Sequence, residues 1–157
     1  MADSRSALAQ DARPAERLEL RVPTSAMYLP AVRAIAADLA IRMDYDLDSV
    51  EDLRLAADEA CATLAQIALS GAELTVTFET TRTGLHIEAW VPTAPGTKVP
   101  LDGFGWAILA TLVDVVDAHD ATQGDVPVGV ITMDKYLPGQ RPSDVAGGAE
   151  QNLSVAR

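Results

Sequence analysis

The stretch Val50-Glu51-Asp52-Leu53-Arg54-Leu55-Ala56-Ala57-Asp58-Glu59-Ala60-Cys61-Ala62-Thr63-Leu64-Ala65-Gln66-Ile67-Ala68-Leu69 sets the frame for the whole chain. Apolar residues recur at Val50, Leu53, Ala57, Ala60, Cys61, Leu64 and Ile67, a helix period rather than a strand period. At about 100° per residue they share one sector of roughly 120°. Asp52, Glu59, Thr63 and Gln66 fall almost opposite, in a narrow polar row interrupted by Leu55, Ala56 and Ala62. A solvent-facing helix usually carries Lys and Glu on its outer side. This one carries alanines and short polar groups, so its second face is expected to be covered too.

On the N-terminal side, Asp44 to Ser49 forms a junction, with Asp48 or Ser49 expected to cap the helix and Leu47 to pack back as a hydrophobic staple. Before it, a helix is expected over about Met27 to Met43, capped by Thr24 or Ser25, with Leu29, Val32, Ile35, Ala36, Leu39 and Met43 inward. Leu18 to Val22 alternates as a half-buried strand that Pro23 stops. On the C-terminal side, Ser70-Gly71 ends the helix. Glu73–Glu79 and Leu85–Val91 alternate cleanly around a Thr83-Gly84 turn, which predicts a hairpin. A loop from Pro92 to Pro100 leads to Asp102-Gly103-Phe104-Gly105, which opens a helix expected from Trp106 to about Val116. Two short strands, near Asp117–Thr122 and Val128–Lys135, complete the pattern. This order predicts an α+β two-layer sandwich: a mixed, mostly antiparallel sheet with three helices on one face. Residues 18–136 form the expected domain, between a disordered leader (1–17) and a disordered tail (137–157).

Of 157 residues, 48% are apolar but only 4% aromatic, so the core must be built from Ala, Leu, Val and Ile. The net charge of −11, with no Lys/Arg cluster, argues against direct nucleic-acid binding and favours a partner with a basic surface. The lone Cys61 excludes an internal disulfide, and with only His86 and His119 besides, a His/Cys metal cluster is not expected. No apolar run reaches the ~18 residues of a membrane span, and the expected location is the cytoplasm.

Two segments carry a family resemblance. Asp52-Leu53-Arg54-Leu55-Ala56-Ala57-Asp58-Glu59-Ala60-Cys61 resembles the helix that opens the nucleotide site in RsbW/SpoIIAB-type anti-sigma factors. These are serine-protein kinases of the GHKL, or histidine-kinase-like, ATPase superfamily. Gly103-Phe104-Gly105-Trp106-Ala107-Ile108-Leu109, followed by Leu112 to Val116, resembles their G-x-G segment and the helix leading to "D-x-V". The element order agrees from about Leu18 to Tyr136.

The resemblance implies ATP and Mg²⁺ as cofactors. It implies Glu59 as the general base and Thr63 at the position of the family's metal-binding Asn. It also implies Gly103 and Gly105 as backbone approach points for phosphate. A Thr hydroxyl is shorter than an amide, and the family's Asp-x-Gly-x-Gly, which reads the adenine amino group, is replaced by Val91-Pro92-Thr93-Ala94-Pro95-Gly96. The implied function is that of an anti-sigma factor which sequesters an RNA polymerase sigma subunit. An anti-anti-sigma antagonist would release it. The implied assembly is a homodimer, with Leu29 and Arg33 as partner contacts. The alternative is an active kinase that phosphorylates the antagonist.

Overall fold

The computed structural model describes residues 15–144. Its elements are β1 (Glu16–Pro23), α1 (Leu29–Arg42), α2 (Leu47–Ile67), β2 (Glu73–Thr80), β3 (Gly84–Pro92), α3 (Phe104–Leu112), β4 (Val115–Gln123) and β5 (Val126–Tyr136). The five strands form one sheet in the order β1-β2-β3-β5-β4, and every neighbouring pair is antiparallel. The hairpin register sets Phe78 opposite Ile87 and Val76 opposite Ala89, and all four side chains are buried. The period-2 pattern therefore placed one face of each strand in the core. Helix α2 packs across β2, β3 and β5 and also touches α1 and α3. Its predicted apolar sector is buried from Val50 to Leu64, with Ile67 half-buried.

Several boundaries differ from expectation, each for a local reason. The cap of α2 is Asp46, whose extended backbone lets Oδ1 accept the Ser49 N–H at 2.7 Å. Asp48 then falls in the first turn, and Leu47, 81% exposed, makes no staple. Helix α1 starts later than expected, at Leu29, behind a turn in which the Tyr28 N–H donates to Ser25 O; neither Thr24 nor Ser25 is its cap. Helix α2 ends at Ile67, before Ser70-Gly71. Gly84 opens β3 rather than closing the turn. Helix α3 stops at Leu112 because Val113, Val115 and Val116 are β-branched and favour the extended chain. Val116, expected at the helix end, lies in β4.

Part of the expected leader and tail is ordered. Glu16 and Arg17 pair with Thr80 and Glu79. Beyond β5, Leu137 packs against the core and its N–H donates to Thr83 O at 2.8 Å, while Arg141 pairs with Asp114 at 3.0 Å. The remainder of the leader (1–14) and of the tail (145–157) lies outside the described residues.

Candidate functional site

Three residues singled out in the sequence meet in space. Helix α3 runs back along α2, and Gly105 lies against the side chains of Glu59 and Thr63. A β-carbon at Gly105 would overlap Glu59 Oε1 and stand 3.7 Å from Thr63 Oγ1. Glu59 and Thr63 are one helical turn apart, which puts both on the same edge of α2. Gly103 is the N-cap of α3 and has φ of 110°, a backbone that other residues rarely adopt. A β-carbon there would meet nothing within 4 Å, so its backbone is accessible.

The other end of the α2–α3 pair is held by a residue that sequence reading missed. Lys135, on β5, sends Nζ to Asp52 Oδ2 at 3.0 Å and to Leu112 O at 2.8 Å. Its side chain is only 13% exposed. It ties the first turns of α2 to the last carbonyls of α3, where a cation also suits the negative end of the helix dipole. A lysine in an alternating strand carries no signal of this role, because its partners are 83 and 23 residues away.

The candidate partner contacts are placed differently. Leu29 is 8% exposed and belongs to the core, so it offers little area to another protein. Arg33 is partly exposed and pairs with Asp58 at 3.5 Å, bridging α1 to α2. His86 is half-buried, with Nδ1 2.7 Å from Asp134 Oδ1. Cys61 is buried, and that burial, reinforced by nearby Asp58, pushes its thiol up to about 12. It is a core residue, not a nucleophile.

A metal-bound triphosphate needs an oxygen ligand for Mg²⁺ and open backbone N–H groups for its phosphates. Beside Glu59 stands a hydroxyl, not an amide, and Gly105 rests on the carboxylate itself. Among the described residues no group of three or more His, Cys, Asp or Glu is placed to hold a metal ion. Thr93, within the segment that replaces the family's base-reading motif, is 2% exposed. These residues do not fit Mg²⁺-ATP as they are arranged.

Comparison with known proteins agrees with the architecture. Residues 22–133 match the model of the histidine kinase-like ATPase domain. The chain is 32% identical over 127 residues to the anti-sigma-F factor RsbW of Mycobacterium tuberculosis (strain ATCC 25618 / H37Rv), covering 80% of this chain and 76% of that protein. It is 27% identical over 143 residues to the serine-protein kinase RsbW of Bacillus cereus (strain B4264), covering 78% of this chain and 86% of that one. On the sheet order, on the meeting of Glu59, Thr63 and Gly105, and on these matches, the chain belongs to the histidine kinase-like ATPase domain family, among its RsbW-type members.

Proposed function

We propose that this chain is an anti-sigma factor that works by occlusion: it binds an RNA polymerase sigma subunit in the cytoplasm, as a homodimer, and is released by an anti-anti-sigma antagonist. The observation that carries this reading is the kept scaffold with altered donors, Thr63 beside Glu59 and Gly105, in a chain related to anti-sigma-F factor RsbW. Helix positions survive while the groups that would hold metal and base do not. The chain's net charge of −11 suits the basic surface of a sigma subunit and speeds encounter. ATP binds weakly, because the carboxylate that would read the adenine amino group is absent, and phosphoryl transfer is impaired because Thr63 does not supply the metal-binding amide.

The test is a titration of the purified chain with the sigma subunits of its own cell, followed by competition with polymerase core. One sigma subunit is expected to bind and to be withheld from core. Failure of every sigma subunit to bind would overturn the reading. Transfer of label from ATP to an antagonist serine, lost in Glu59→Ala, would establish the kinase reading in its place.

A further inference from the structure

Beyond the altered donors, side chains of α2 and of the loop after β3 crowd onto one point of β5. Gly129 of β5 lies where the end of α2, the loop after β3 and the sheet converge. A β-carbon at Gly129 would come within 2.9 Å of Ile67 Cδ1, 3.1 Å of Val99 Cγ2 and 3.6 Å of Thr93 Cγ2. The three side chains thus close over the only position on this strand segment that lacks one of its own. Val99 is 6% exposed and Thr93 2%, although both sit in a loop, where side chains are mostly solvated.

The loop is fastened on several sides. The Thr93 N–H donates to Pro127 O at 2.9 Å, and the Leu69 N–H, just past α2, donates to Pro92 O at 2.9 Å. The Thr97 N–H closes a turn onto Ala94 O at 3.1 Å. Lys98 Nζ, one residue before Val99, meets Asp120 Oδ2 at 2.6 Å, and Asp120 is the strand partner of Gly129. These bonds direct Val99 inward, onto the place beside Thr93 where the family resemblance implies a purine.

We propose that Val99 and Ile67 act as a built-in plug that takes the place of the nucleotide base, so that partner binding by this chain is uncoupled from nucleotide. The second half rests on the anti-sigma reading; the plug itself does not. A planar base needs an open slot and a carboxylate or amide to read its edge. Here an isopropyl and a sec-butyl group supply the packing, and a threonine with its backbone N–H already engaged stands at the edge.

The plug is tested by calorimetry of Mg²⁺-ATP on the full chain and on Val99→Ala, Ile67→Ala/Val99→Ala and Ile67→Ala/Val99→Ala/Thr93→Asp. The wild-type chain is expected to show no saturable binding up to about 1 mM nucleotide, and the triple variant to gain at least about tenfold in affinity. ADP should compete for that gain and inorganic tripolyphosphate should not, because the gained contact is with the base. Tight binding of ATP by the wild type would overturn the proposal, as would a folded triple variant with no gain. If the triple variant does not melt cooperatively, Val99→Ala decides by amide NMR: ATP must shift Gly129 and Thr93 in the variant and leave them unmoved in the wild type. Sigma affinity is then measured with and without Mg²⁺-ATP, and a change above about twofold would refute the uncoupling. A chain that binds no sigma subunit yet behaves as stated toward ATP would sink the functional reading and leave the plug standing.

Discussion

Gly84 and Gly105 face crowding of different kinds, and the difference predicts different costs. A β-carbon at Gly84 would run into Lys135 O, with Tyr136 Cα at 2.9 Å and Lys135 C at 3.0 Å, all of it backbone. Gly84→Ala must push two strands apart, and a loss of about 1–3 kcal/mol is expected by urea unfolding. At Gly105 the obstacle is the carboxylate end of Glu59, which can rotate away. Gly105→Ala should therefore cost under about 1 kcal/mol, and still less when combined with Glu59→Ala.

Tyr45 carries a third prediction. Its hydroxyl donates to Lys135 O at 2.5 Å and accepts the Leu85 N–H at 3.0 Å, completing the ladder end where β3 meets β5. Burial pushes that hydroxyl up to about 12, with the Leu85 N–H opposing the rise and Asp114 adding to it. The folded chain thus holds this proton more tightly than the unfolded chain. The contribution is complete below pH ~10 and is lost as pH rises through about 12. Tyr45→Phe should remove that part of the alkaline slope and cost about 1–3 kcal/mol at neutral pH by orphaning two backbone groups, read from urea midpoints at several pH values.

Helix α2 depends on a cap two or three residues earlier than its sequence suggested. Asp46→Ala should lower the melting temperature by a few degrees, while Asp48→Ala, in the first turn, should do less. The Asp46 carboxyl is held below the usual range by its bonds to Ser49, so its contribution is present above the ordinary carboxylate pKa and fades as pH falls through the lowered one. The α2–α3 pair depends on Lys135. Lys135→Met should cost about 1–2 kcal/mol and raise amide exchange in α3 selectively, because it unties Leu112 O and Asp52 at once. Exchange rising equally in β2 and β3 would show that Lys135 supports the sheet instead.

At the level of the folded chain, charge and closure act together. On the proposed anti-sigma reading, binding of this acidic chain to a sigma subunit should show an association rate that falls more than about tenfold as salt rises from about 50 to about 500 mM, with dissociation changing little. Stopped-flow mixing with the cognate sigma subunit measures both. Flat association across that range would remove charge from the recognition mechanism. Among the described residues no helix is long and apolar enough to cross a membrane.

Most of the architecture was legible because it is written in local periods. The 3.6 repeat in α2 and the alternation in β2 and β3 need only neighbouring residues to be read, and they fixed which faces turn inward. The family motifs pointed to Glu59, Thr63 and Gly105, but only the crossover of α3 onto α2 decided that Gly105 would rest on the Glu59 carboxylate. Caps and helix ends were missed where one side chain chose among several neighbouring N–H groups, a choice made by backbone angle. The bonds of Lys135 and the burial of Val99 were invisible in the chain, because each depends on partners brought close by strand register and helix docking. Local chemistry chose the elements, and long-range packing chose which of their side chains meet.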